Sequence, residues 1–278
     1  MSRARKLERK PVFAVVVTAV FFAWLYLPIL AVALFSLNDT KSLAAFSGFS
    51  LRWYDDLVHN DVLIGSLVAS LKIATVATLG SLVLGTMLAL GLERVRSRRG
   101  RVIGAVTLLP LVTPEIVTGV AALLLFTGIG LKLSMTTVIL AEVTFSIAYV
   151  TVIVRGRLAG MSPEVEEAAR DLGCTPFQAV RLVILPTLLP ALVGAGLLVF
   201  ALVFDDFVLA FFTTGVDPQP LPVRVYSSIR FGVSPAINAI GTLMLLGSGL
   251  LIVAALVLPR LLGRGTSSLD LITGGDPR

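Results

Sequence analysis

Four stretches of this chain, residues 11–38, 73–92, 182–204 and 231–259, contain no charged side chain, and two more, 102–131 and 133–154, are each interrupted by one glutamate, Glu115 and Glu142. A helix of about 20 residues crosses the ~30 Å hydrocarbon core of a bilayer, so every one of these runs is long enough. In lipid a backbone must satisfy its own polar groups, which leaves helices or closed barrels. Period-2 alternation is absent, so the pattern predicts an all-α membrane protein with six transmembrane helices near 12–35, 64–92, 102–130, 135–155, 188–212 and 238–261. Hydrophobic residues make up 56% of the chain and charged ones 14%, against roughly 45–50% and about 25% in soluble domains. That excludes a soluble enzyme, a disordered segment and a nucleic-acid-binding module, and residues 1–278 read as one transmembrane domain in contact with lipid.

The excess of 23 Lys and Arg over 17 Asp and Glu falls unevenly between alternate loops. Arg3, Arg5, Lys6, Arg9 and Lys10 precede the first span, and Arg94, Arg96, Arg98, Arg99 and Arg101 lie between the second and third. Arg155, Arg157, Arg170 and Arg181 follow the fourth, and Arg260, Arg264 and Arg278 the sixth. The opposite loops hold only Lys41, Arg52, Lys132, Arg224 and Arg230. By the positive-inside rule both termini are expected in the cytoplasm. The first apolar run is too long for the core of a signal peptide and is read as a retained helix. Cys174 and His59, each the sole residue of its kind, form neither a disulfide nor a metal site. No nucleophile motif or phosphate-binding loop is present, so no catalytic residue, metal or cofactor is assigned to this chain.

The expected cytoplasmic loop 156–187 carries strong local signals. Ser162-Pro163 reads as a helix N-cap and first position, followed by Glu164, Glu166 and Glu167 at the positive helix start. Val165, Ala168, Ala169 and Leu172 recur at helical spacing, and Gly173 is placed to stop the helix in a left-handed conformation. Thr175-Pro176-Phe177-Gln178 has the form of a capping box, and Pro186 is expected to end this second helix. The prediction is two short helices joined by a glycine turn, narrow enough in apolar stripe to fit a protein groove.

Acidic side chains at membrane depth are costly and need an account. Glu115 is expected mid-helix in the kinked segment Pro110-Leu111-Val112-Thr113-Pro114-Glu115, Glu142 in the outer third of the fourth helix, and Asp205 and Asp206 in the outer half of the fifth. Apart from Arg155 and Arg260 at the ends of their spans, the basic residue in the spans is Lys72, near an outer end. Acids without internal cations suggest that a cationic solute supplies the missing charge. Phe204, Phe207, Tyr149 and Trp24 offer ring faces for an ammonium group. Adjacent aspartates diverge by about 100° on a helix, and Asp205 is favoured as the inward one. Gly194-Ala195-Gly196 and Gly247-Ser248-Gly249 permit close helix contact. On the outer side, 213–238 is expected to hold a short helix after Pro220-Leu221-Pro222.

The string Glu167-Ala168-Ala169, three residues, Gly173, nine residues, Val183-Ile184-Leu185-Pro186 resembles the EAA motif of binding-protein-dependent ABC importer permeases, with valine in place of isoleucine at Val183. Further segments resemble the second permease subunit of the spermidine/putrescine importers. They are Leu25-Tyr26-Leu27-Pro28, Ser36-Leu37-Asn38-Asp39, Trp53-Tyr54, Pro114-Glu115, Phe204-Asp205-Asp206-Phe207, Leu221-Pro222-Val223-Arg224-Val225-Tyr226-Ser227 and Gly232 to Ala239. The resemblance implies a type I permease fold in a bacterial inner membrane and a hairpin docked on a cytoplasmic ATPase through Glu167, Ala168, Ala169, Gly173, Leu185 and Pro186. It also implies two ATPase subunits that hold ATP and Mg, a second permease subunit, and an extracytoplasmic substrate-binding protein. A permease for another small solute, or a proton-coupled carrier of organic cations, is the alternative function.

Overall fold

The computed structural model describes residues 12–40, 45–95, 97–162, 164–216, 218–230 and 235–262. The basic N-terminal residues Arg3 to Lys10, with Lys41, Arg96, Pro163, Gly232-Val233-Ser234, Arg264 and Arg278, lie outside them. The described elements are α1 (Val12–Phe35), α2 (Arg52–Val58), α3 (Asp61–Arg94), α4 (Arg98–Thr107), α5 (Leu109–Val112), α6 (Glu115–Gly128) and α7 (Met135–Ala159). There follow α8 (Glu164–Asp171), α9 (Pro176–Ala179), a π turn (Val180–Ile184), α10 (Leu185–Asp205), α11 (Val208–Thr213), α12 (Leu221–Arg230) and α13 (Pro235–Leu262). Among the described residues five helices are long and apolar enough to cross a membrane, and a bent pair, Arg98–Val112 with Glu115–Gly128, makes six when taken as one broken span.

The internal contacts group the chain into two units, one comprising the described residues up to Asp61 with Ser227–Leu245, the other Val62–Tyr226 with the described residues from Leu246. In the first unit a fully buried Asn38 closes the segment after α1. Its amide donates to the Ala45 carbonyl at 2.9 Å and its oxygen accepts from the Ser47 N–H at 2.9 Å. The Trp53 indole donates to the Asn38 carbonyl at 2.6 Å, fixing α2 against the same segment.

In the second unit the helices approach through small residues. A Cβ on Gly85 of α3 would lie 2.7 Å from the Val150 Cβ of α7, and one on Gly196 of α10 would lie 3.1 Å from Leu82 of α3. Thr151 of α7 donates to the Gly85 carbonyl at 3.3 Å. Such backbone-close seams let helices associate where lipid gives no hydrophobic drive. The Gly194-Ala195-Gly196 cluster thus packs within this chain, with Ala195 fully buried.

Three sequence expectations change. The third span is broken, not kinked: α4–α5 and α6 meet at 109° across Thr113-Pro114, so Glu115 begins a half-helix instead of lying mid-helix. Two prolines four residues apart remove backbone donors on successive turns, which a continuous helix cannot absorb. The fifth span ends at Asp205, not 212. Asp206 takes an extended conformation (φ −68°, ψ 119°), and its Oδ1 accepts from the Leu209 N–H at 3.2 Å to start α11. Pro186, in turn, does not end the second hairpin helix, which runs from Pro176 through to Asp205. The π turn ahead of Pro186 makes room for its ring, and Thr187 donates to the Val183 carbonyl at 2.7 Å.

Candidate functional site

The two helix breaks open onto one cavity of about 810 Å³, lined by α5, α6, α7, α10, α11 and α13. Its wall includes Glu115, Glu142, Asp205, Asp206, Tyr149 and Phe207, with Pro110, Thr113, Ser146 and Ser248. Among the described residues no lysine, arginine or histidine lines it.

Each acid is placed by local backbone. Pro114 caps α6 and Glu115 is its first residue. Glu142 projects from α7 and is 1% exposed, with Oε1 lacking a hydrogen-bond partner among the described residues. Asp206 sits in the break after α10 and faces the cavity that Glu142 and Glu115 also line. Asp205 is held apart, its Oδ2 accepting from Ser248 of α13 at 3.0 Å. The inward assignment therefore divides differently from the sequence expectation. Both aspartates reach the cavity, and Asp206 rather than Asp205 joins the glutamates, because the helix breaks between them.

Three carboxyl groups this close repel unless a proton or another cation lies among them, and an unpaired buried charge is costly. An ammonium group has three donors for such acceptors. Phe207 adds ring surface, packed against Tyr226 at 4.7 Å between centroids with the rings tilted by 45°. Phe204 does not line the cavity: it is buried and stacks parallel to Phe200, at 6.2 Å. Trp24 is 72% exposed on α1. Ser248 was legible only as part of a small-residue cluster. Its partnership with Asp205 joins residues 43 positions apart and has no local signal.

The hairpin is the second candidate surface. Gly173 has φ +89°, its N–H donates to the Arg170 carbonyl at 2.8 Å, and the Cys174 N–H donates to the Ala169 carbonyl at 3.1 Å. These two bonds form a Schellman cap, and Cys174 contributes its backbone to it. Thr175 and Gln178 exchange side-chain to backbone bonds at 2.8 and 3.3 Å, completing the expected capping box. Ala169 and Ala179 are buried where α8 meets α9, while Glu167 and Ala168 are exposed. Leu172 is 87% and Phe177 72% exposed, large apolar side chains that a soluble loop would not leave in water. Of the remaining motif residues, Leu185 is half-buried and Pro186 exposed.

Residues 81–268 match the model of the family described as binding-protein-dependent transport system inner membrane component. The putrescine transport system permease protein PotI of Escherichia coli (strain K12) is 38% identical over 238 residues, 83% of this chain and 85% of that one. The spermidine/putrescine transport system permease protein PotC of Haemophilus influenzae is 36% identical over 241 residues, 87% of this chain and 94% of that one. Among solved structures, a chain of a bacterial ABC transporter involved in the import of the acidic polysaccharide alginate superposes with TM-score 0.72 at 12% identity, covering 91% of this chain and 96% of that one. A chain of the MetNI methionine ABC transporter in an inward-facing conformation gives TM-score 0.63 at 19% identity, covering 78% and 100%.

Proposed function

We propose that this chain, which belongs to the binding-protein-dependent transport system inner membrane components, is one permease subunit of an ATP-driven importer of polyamines such as putrescine and spermidine. The observation that carries the solute class is the cavity, which gathers Glu115, Glu142, Asp205 and Asp206 and, among the described residues, holds no basic side chain. A linear polyamine offers ammonium groups joined by methylene chains. The carboxylates replace the water stripped from the ammonium groups, and the apolar wall accepts the methylenes. The relatives named for putrescine and spermidine transport support the same class.

In this reading the chain performs no chemistry of its own. Two cytoplasmic ATPase subunits hold ATP and Mg, and their closure displaces the hairpins. A second permease subunit completes the pathway, and an extracytoplasmic binding protein delivers the solute. The exposed Leu172 and Phe177, on either side of the Gly173 turn, are the apolar part of the ATPase dock. Both termini lie in the cytoplasm of a bacterial cell.

The test is uptake of labelled putrescine and spermidine by cells expressing this chain with its transporter partners, with and without Glu167→Arg. Uptake is expected in the wild type and lost in the variant, along with co-purification of the ATPase. An assembled, ATP-hydrolysing wild-type complex that takes up neither polyamine would overturn the solute class. Undiminished uptake with Glu167→Arg would overturn the dock.

A further inference from the structure

A displaced hairpin moves solute only if its motion reaches the cavity wall. Helix α8 packs on α9 and the π turn, elements of its own hairpin. One polar link also joins it to a membrane helix. Arg94, the last residue of α3, donates from Nη2 to Oε1 of Glu166 at 3.2 Å, and Arg170 donates to the same oxygen at 2.7 Å. Arg94 and Glu166 lie 72 positions apart. An isolated exposed ion pair adds little to stability. Here the Glu166 side chain is 31% exposed and those of Arg94 and Arg170 44% and 51%, and what sets the cluster apart is that both guanidinium groups converge on a single oxygen.

From α3 onward the packing is stiff. A Cβ on Gly85 would lie 2.7 Å from Val150 of α7, and Thr151 donates to the Gly85 carbonyl, so α3 and α7 have little freedom to slide independently. Tyr149, next to Val150, and Glu142, roughly two helical turns earlier on α7, line the cavity. Coupling between distant sites travels through contiguous packed elements of this kind.

We propose that the Arg94–Glu166–Arg170 cluster is a tether that passes hairpin displacement to α3, and through the α3–α7 seam to the carboxylate wall. The inference rests on the reading of the hairpin as the ATPase dock. Arg94 and Glu166 are positioning residues: neither lines the cavity nor touches solute. Glu166 precedes the Glu167-Ala168-Ala169 string and turns toward the membrane helix.

The experiment uses the assembled complex in proteoliposomes and reads putrescine accumulated per ATP hydrolysed. With Arg94→Glu the ATPase is expected to remain bound and active while that ratio falls about five-fold or more. The double variant Arg94→Glu/Glu166→Arg again places one carboxylate against two guanidinium groups, and restores most of the ratio. An unchanged ratio with Arg94→Glu, or a double variant no better than the single, overturns the tether.

A second arm does not depend on the ATPase. A spin label at Leu172→Cys, in a Cys174→Ser background of the full chain in lipid, is expected to become more mobile with Arg94→Glu and less so again in the double variant. Unaltered spectra overturn the tether. A wild-type chain that fails to retain the ATPase overturns the docking reading instead, and the spectra still decide the tether.

Discussion

Asp206 serves two roles with one carboxyl group: it caps α11 through the Leu209 N–H and faces the cavity that Glu142 and Glu115 also line. The two roles separate by substitution, because asparagine caps a helix about as well as aspartate does while carrying no charge. Asp206→Asn is expected to leave thermal stability nearly unchanged and to reduce polyamine uptake about ten-fold or more, the scale of one charge-assisted hydrogen bond. Asp206→Ala is expected to lose the cap as well and to melt earlier. Equal melting losses in both variants would show that the charge, not the cap, stabilises the break. At this scale the sequence is legible where the chemistry is local. Gly173 and the Thr175–Gln178 box could be read because each acts within four residues of its partner. The Asp205–Ser248 bond and the turning of Asp206 toward the glutamates could not, since both depend on where a helix stops and which distant helix lies opposite.

Helix boundaries followed the same division. The span α1 was expected at 12–35 and occupies Val12–Phe35, because an uninterrupted apolar run with one proline has a single long solution in lipid. The third and fifth spans were expected whole and are broken, because apolar composition is the same for a continuous helix and for two half-helices. The proline pair Pro110 and Pro114 in the third span, and the cavity-facing polar groups in both, distinguish them. Pro186 was expected to end a helix and lies inside one, since a π turn is a backbone adjustment with no residue signature. Two predictions belong here. Gly173→Val forces a β-branched residue to φ +89°, at about 1–2 kcal/mol, and is expected to loosen the hairpin and lower transport per ATP. Normal coupling in that variant would count against the turn as a rigid part. Gly85→Ala places its methyl against Val150 and is expected to destabilise the α3–α7 seam by about 1–3 kcal/mol in a detergent melt. Val150→Ala in the same chain should recover a large part, and a melt unmoved by Gly85→Ala would mean the seam yields.

For the whole molecule, the uneven share of basic residues between alternate loops predicts one orientation across the bilayer. A reporter enzyme active only outside the cytoplasm is expected to work when fused after Val216 and to be silent when fused after Arg99. The reverse pattern would invert the topology and remove the hairpin from the ATPase side. Helix α1 exposes its apolar surface throughout its span and α13 buries 11% of its own, whereas α3 and α7 bury 44% and 50%. Apolar helices left so open within one chain are covered by lipid or by another protein chain, and the composition that first marked the chain as membranous carries no information on which.

The break at Thr113-Pro114 has a consequence for the sign of the solute. It turns the start of α6, a 14-residue helix, toward the cavity, and the start of a helix carries about half a positive elementary charge. The bare scaffold is therefore biased toward anions. The proposed preference for cations would then be an overlay written in a few carboxyl groups, Glu115 foremost, since it occupies the first position of that helix. Preference and architecture are thereby uncoupled. Exchanging side chains at the wall is therefore expected to change the sign of the accepted solute without relocating a single helix.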